Sequence, residues 1–197
     1  MDKGAIMKYF VLFLFLLQSL LYANNFNIDN SHSSVDFEVT HLVISKVKGS
    51  FNQFSGEIFW DPAKLKQSFF YGSVTVDSID TNNNTRDKHL KSDDFFDSNT
   101  YPVITIKSKT IKKTDKKNIY TLISDFTMKG VTNEVESLLV VKGPVKDNRG
   151  NTRYAFETDF SVNRFDYNLN WSKLIESGEL VVGEDVVIDI KIQGIEK

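Results

Sequence analysis

Most of the chain alternates between apolar and polar residues. Residues 33–42 set Val35, Phe37 and Val39 on one face and Asp36, Glu38 and Thr40 on the other, the period of two that a half-buried strand imposes. Residues 47–60 carry Phe51, Phe54, Ile58 and Trp60, interrupted by Gly49 and Gly56, and predict a bent strand pair. Residues 71–79 bring Val74 and Val76, and residues 103–111 alternate Ile104, Ile106 and Ser108 against Val103, Thr105 and Lys107. Residues 119–128 place Tyr120, Leu122, Ser124, Phe126 and Met128 on one side, and a turn follows at Lys129-Gly130. Residues 134–142 continue with Val135, Leu139 and Val141. The stretch DNRGN, residues 147–151, is a hairpin turn signal. Residues 154–162 alternate Tyr154, Phe156, Thr158, Phe160 and Val162, and residues 184–195 alternate Val186, Ile188, Ile190 and Ile192.

About eight antiparallel strands of this kind close into a sandwich or a barrel. No long helical segment separates them, which disfavours a parallel α/β sheet. Two segments break the alternation and predict one or two short helices. Residues 84–94 offer Asn84 as an N-cap and Asp87 three residues on as a capping-box carboxylate. Residues 163–185 hold Trp171, Leu174 and Ile175 at helical spacing, with Gly178 placed to end the turn. There is no linker or internal repeat, so one all-β domain is expected.

The start of the chain reads differently. Lys3 and Lys8 precede the apolar run YFVLFLFLLQSLLY, and Ala23 is a small residue suited to cleavage. This order predicts a secretory signal over residues 1–23, whether translation starts at Met1 or Met7. The run is short for a membrane span of about 20 apolar residues, so no span is expected after cleavage. The expected mature chain, residues 24–197, has a net charge of −3. No basic field is present for nucleic acid. The chain contains no Cys, which removes thiol nucleophiles, thiolate metal sites and cysteine-linked lipidation. Phe is frequent, with 16 in the chain, enough either to fill a dense core or to line a cavity.

Candidate chemistry is sparse. His32, His41 and His89 show no metal-ligand spacing, and no glycine-flanked nucleophilic serine or phosphate-binding glycine loop is present. Asp93 and Asp94 are adjacent and diverge on any regular element, which suits them poorly to paired acid–base work. No catalytic residue and no cofactor or metal is therefore expected. Phe95 and Phe96 follow that acidic pair; at least one ring is expected to seal the end of the core, and facing a ligand is compatible with that role because adjacent side chains diverge. Arg86 and Asp87 are expected to lock a loop against the barrel end. Arg164 has the planar five-donor fork suited to a polar head group.

Residues 81–102 carry the sequence N-x-x-R-D-x-H-L-x-S-x-D-F-F-D as Asn83, Arg86, Asp87, His89, Leu90, Ser92, Asp94, Phe95, Phe96 and Asp97. Together with Ile28-Asp29, the segment VKGSFNQFSGEIFWD of residues 47–61, Lys129-Gly130-Val131-Thr132 and Val182-Gly183-Glu184, this resembles the YceI-like family of bacterial envelope proteins. The resemblance spans nearly all of residues 24–197. It implies an antiparallel lipocalin-like β-barrel that holds a polyisoprenoid, an isoprenoid quinone or a similar long-chain amphiphile in the periplasm, without catalysis. It leaves pairing into a homodimer open. The apolar lining expected from it comprises Phe37, Val39, Phe51, Val74, Val76, Phe95, Phe96, Ile104, Ile106, Leu122, Phe126, Phe156, Phe160 and Trp171. The expected polar rim comprises His41, Arg86, Asp87, His89 and Arg164. The chain departs from the family's small glycine-containing turn at residues 163–171, where it has Arg164-Phe165-Asp166-Tyr167-Asn168. Two alternatives stand beside the carrier: an enzyme acting on such a lipid, and a ligand-free interaction module, which requires a filled interior.

Overall fold

The computed structural model describes residues 25–197; the expected signal of residues 1–23 lies outside them. Eleven strands form one antiparallel sheet: β1 (Asn25–Ile28), β2 (Ser34–His41), β3 (Ser45–Phe51), β4 (Phe54–Phe59), β5 (Phe69–Thr75), β6 (Ile79–Asp80), β7 (Val103–Lys113), β8 (Ile119–Met128), β9 (Val131–Lys146), β10 (Thr152–Asn163) and β11 (Val182–Glu196). They trace eight paths around a closed barrel. Five paths, β7 to β11, run unbroken. The other three are each interrupted once: β1 with β2, β3 with β4, and β5 with β6.

Pairing shows this directly. β2 pairs with β3 and β1 with β4, while β4 pairs with β5 and β3 with β6. β11 closes the ring by pairing with β2 along its first half and with β1 at its end. Closure leaves no long free edge for another chain to extend. The turns follow the sequence. Lys129 and Gly130 both have positive φ, 47° and 75°, the geometry of a two-residue hairpin whose twist matches its strands. Asp147 organises the β9–β10 turn by accepting from the backbone N–H groups of Arg149 and Asn151, each at 2.9 Å. β1 was not expected, since its four residues NFNI give no alternating window.

The connections sort to the two ends of the barrel. One end, here the crown, gathers the β2–β3 turn, residues 81–102, the β8–β9 turn and residues 164–181. The other, the base, gathers the chain start, residues 60–68, and the β7–β8 and β9–β10 turns. The described residues contain one α-helix, α1 (Asn84–Lys91), at the crown. Its N-cap is Asn83, not Asn84: the Asn83 side chain accepts from Arg86 N–H at 3.0 Å. Asp87 does not reach back as a capping box.

The expected helical turn at Trp171, Leu174 and Ile175 is absent. A short 3₁₀ turn (Arg164–Tyr167) ends at Asn168, whose φ is 59°, and the chain then runs extended to a Leu174–Leu180 bridge around Gly178. The carbonyls of Leu169 and Trp171 point at Arg164, so they are not available to a helical ladder.

Candidate functional site

Two apolar clusters fill the barrel, one towards each end. The crown cluster is built on Phe51, Val74, Ile104, Phe126, Met128, Phe160 and Val162, with Phe95 and Tyr167 added from the connections. The base cluster is built on Phe26, Ile58, Trp60, Ile111, Tyr120, Leu122, Leu139, Val141 and Phe156. The division falls at a fixed level of the wall. On β8, Ser124 lies between Leu122 of the base and Phe126 of the crown; on β10, Thr158 lies between Phe156 and Phe160. On β9, Ser137 sits between Val135 and Leu139, and on β7, Ser108 sits between Ile106 and Ile111. On β4 and β5 the corresponding inward positions are glycines, Gly56 and Gly72.

Six wall positions therefore carry Gly, Ser or Thr where the next inward positions on the same strands carry large side chains. Small side chains there leave the centre unfilled. The result is a cavity of about 190 Å³, room for on the order of a dozen water-sized spheres. Gly72, Ser108, Ser124 and Thr158 all line it. The interior is thus not filled, as the ligand-free alternative requires. At Gly56 a Cβ would stand 2.3 Å from the Tyr71 carbonyl oxygen, so side chains are excluded there by backbone approach.

Among the expected lining residues, Phe37, Val39, Phe51, Val74, Phe95, Phe96, Ile104, Ile106, Leu122, Phe126 and Phe156 face the cavity. Three do not. Val76 is only 1 % exposed but sits in the 3₁₀ turn after β5, inside the crown cluster. Phe160 packs edge-on against Phe126 at 5.4 Å and stands behind it. Trp171 packs at the edge of the crown cluster against Phe95 and His89 at 5.2 and 5.5 Å. Phe95 and Phe96 both line the cavity, at its crown end. The sequence reading passed over Ile28, Val35, Phe54, Ile58, Phe70, Leu139, Ile188, Ile190 and Ile192, which also line it. Several of these lie on strands whose alternation was legible. The hydroxyls of Ser108, Ser124 and Thr158 were equally visible on the inward parity but drew no role.

Three of the five expected rim residues, Arg86, Asp87 and His89, spend their side chains on contacts within the crown. Arg86 and Asp87 converge on Thr81 instead of pairing with each other. The Asp87 carboxylate accepts from Thr81 N–H and Oγ1–H at 3.0 and 2.5 Å, and the Arg86 guanidinium donates to Thr81 Oγ1 and carbonyl, both at 2.7 Å. This fastens α1 to the end of β6. His89 Nε2 lies 2.9 Å from Asp94 Oδ2, and its ring packs edge-on against Phe95 at 5.0 Å. His41 pairs with Ser45 and Val182 at the strand ends. None of these four reaches the cavity wall.

Arg164 does reach it, but not as a free head-group receptor. The residue is 2 % exposed. Its guanidinium donates to the carbonyls of Gly183, Leu169, Trp171 and Val182 and stacks on Phe165 at 4.1 Å. Burial lowers its pKa, with Glu184 acting in the opposite direction. Four of its five donors hold the crown connection to the start of β11. No group of three or more His, Cys, Asp or Glu side chains converges among the described residues.

Connections close the cavity at the crown. Leu90, Phe95, Phe96 and Leu169 bring crown connections into its wall, while none of the base connections contributes.

Comparison with known proteins agrees with this architecture. A UPF0312 protein of Staphylococcus aureus is 36 % identical over 166 residues, covering 82 % of this chain and 92 % of its own. The crystal structure of the Campylobacter jejuni YCEI protein superposes with a TM-score of 0.68 at 28 % identity, covering 87 % of this chain and 97 % of that one. A polyisoprenoid binding domain from Saccharophagus degradans, implicated in plant cell wall breakdown, shares the fold with a TM-score of 0.66 at 14 % identity, covering 89 % of this chain and 99 % of that domain. The YceI-like domain model matches residues 26–194, and with the closed barrel, its central cavity and the crown built from residues 81–102, the chain belongs to the YceI-like family.

Proposed function

We propose that the protein is an exported, non-catalytic carrier that holds a polyisoprenoid, an isoprenoid quinone or a similar long-chain amphiphile inside its barrel. The observation that carries this reading is the cavity itself: an apolar interior left open by small wall residues and lined at one end by the crown connections. Burial of a hydrocarbon chain there is worth about 0.8 kcal/mol per methylene removed from water, so a long tail binds without charged contacts. The name of the Saccharophagus degradans domain, polyisoprenoid binding, supports the ligand class. The crown connections provide the route, because loops held by a few polar contacts open more readily than paired strands.

Residues 1–23 are the proposed export signal and the periplasm the proposed destination. Native mass spectrometry of the protein purified from the periplasm, followed by organic extraction, tests the whole reading. A mature chain beginning near residue 24 with a co-purifying isoprenoid or fatty-chain adduct is the expected result. A chain that retains residues 1–23 overturns the export assignment. A clean apo mass that stays clean after incubation with quinones, polyprenols and fatty amides overturns the carrier.

A further inference from the structure

The level of small wall residues between crown and base, the waist, contains a group that barrel stability does not explain. Ser124 is 2 % exposed, faces the cavity, and its hydroxyl has no hydrogen-bond partner in the protein. An unpaired buried hydroxyl costs roughly 1–3 kcal/mol. Alanine would satisfy the same inward position, and the same small volume, without that cost.

Its neighbours share the property. Ser108, directly opposite on β7, accepts from the backbone N–H of Phe70 at 2.8 Å. One of its two lone pairs is therefore in use, and its own proton has no acceptor in the protein. Thr158 donates to Ser137 at 2.8 Å, which leaves the Ser137 proton without a protein acceptor. Ser108, Ser124 and Ser137 thus each present a hydroxyl proton that no protein group accepts. The waist is also uncharged: Arg164 is the cation in the cavity wall, and it lies at the crown with four of its donors spent on carbonyls.

We propose that Ser108 and Ser124 form a subsite for an uncharged oxygen acceptor of the ligand, a ketone, quinone, amide or ester carbonyl or an alcohol oxygen, seated at mid-barrel. This deepens the carrier reading and rests on it. A pure hydrocarbon leaves the hydroxyls unpaired. A phosphate or carboxylate finds no countercharge at this level. The ligand that suits the waist is a long-chain molecule whose small neutral polar group lies inside the barrel while its hydrocarbon fills the apolar space around it.

The test is a cycle of two proteins and two ligands. Octadecane and octadecan-1-ol, delivered from cyclodextrin, compete with a solvatochromic apolar dye for the full-length mature protein and for its S124A variant. The expected result is a loss of about three- to tenfold in octadecanol affinity on S124A, the size of one hydrogen bond, with octadecane affinity unchanged. S124T, which keeps the hydroxyl, retains more of the preference for octadecanol than S124A does. Equal change for both ligands, or change for neither, overturns the subsite while leaving the carrier intact; a water held permanently by Ser124 gives that outcome. Binding of neither ligand by the folded wild type overturns the carrier reading, and the subsite with it. Thermal melting of the ligand-free proteins gives a second readout. S124A is expected to melt at or above the wild-type temperature, and a fall of several degrees would show that the hydroxyl has a structural partner and would overturn the subsite.

Discussion

The base and the crown close the same barrel by different means. The base is sealed by residues of the strands themselves and of the segment just beyond β4. Trp60 meets Tyr120 edge-on at 4.9 Å and Phe156 at 6.1 Å, and Phe26 meets Tyr154 and Phe156 at 5.3 and 5.5 Å. Every ring is anchored on or next to a paired strand. The crown is sealed by connections. Phe95 and Phe96 descend from residues 81–102, and the segment after β10 is held by one arginine bonded to four carbonyls. Opening the base requires breaking aromatic packing and strand pairing together; opening the crown requires turning a few polar contacts towards water. The contrast assigns stability to one end and passage to the other.

The largest effect should come from the base. Trp60 is 1 % exposed, and W60A removes the hub of the aromatic seal. A loss of about 3–5 kcal/mol is expected, read as a lower urea midpoint with little change in slope. At the crown, R164M keeps the length of the side chain and removes its donors. Leaving buried carbonyls unpaired costs roughly 1–3 kcal/mol each, but this segment can turn back to solvent, so the expected loss is about 2–4 kcal/mol in total. Hydrogen exchange separates the two cases. In R164M it should quicken over residues 164–181 while the strands at the base keep their protection. Uniform acceleration would mean that the crown is as integral to the barrel as the base.

The base also carries two carboxylates whose ionisation is tied to folding. Arg153 donates to Asp147 at 2.8 Å and to Asp29 at 2.6 Å, tying the β9–β10 turn to the end of β1. Its hydrogen bonds are the main cause holding both carboxyls below the usual range. A carboxyl whose folded pKa lies below its unfolded value of about 3.9 contributes stability that is complete above about pH 5. That contribution is lost as pH falls through the folded value. R153M should therefore flatten the stability profile below pH ~5 and leave its slope between pH 7 and 9 unchanged. The effect should be smaller than either substitution above, because solvent screens the cluster. An unaltered acid limb in R153M would show that other carboxylates carry it.

How much of this was legible in the sequence depends on the range of the interaction. Eight alternating segments predicted the eight wall paths, and Lys129-Gly130 and residues 147–151 predicted their turns, because strand parity and turn conformation are local. The crown was legible as a break in alternation and as a family motif, but its wiring was not. Arg86 and Asp87 meet at Thr81 through the end of β6, and Arg164 finds carbonyls of residues as distant as Gly183; a side chain's partner across the fold leaves no periodic trace. Trp171 had helical spacing with Leu174 and Ile175, yet the carbonyls that a helix needs were already committed to Arg164. The waist is the intermediate case. Its small residues stand on predicted strands at predicted parity, but their common level depends on strand stagger, which only the paired registers reveal.

The smallest predicted effect divides the two ends most directly, because it makes one chemical change at each. Phe96 and Phe156 both line the cavity, the first from a crown connection and the second from β10 at the base. Phenylalanine to leucine trims either ring while keeping an apolar surface. Phe96 is only half-buried, so F96L should alter stability by less than about 1 kcal/mol. It should nevertheless speed release of a bound long-chain alcohol two- to threefold, read by stopped-flow exchange against excess dye, because the ring stands on the exit path. F156L sits among Phe26, Trp60 and Phe70 and should lower stability by about 1 kcal/mol without altering the release rate. Release accelerated equally by both substitutions would mean that the rings act only through affinity and that the crown holds no gate. Release accelerated by F156L alone would move the exit to the base, and the reading of aromatic packing as a permanent seal would fail with it.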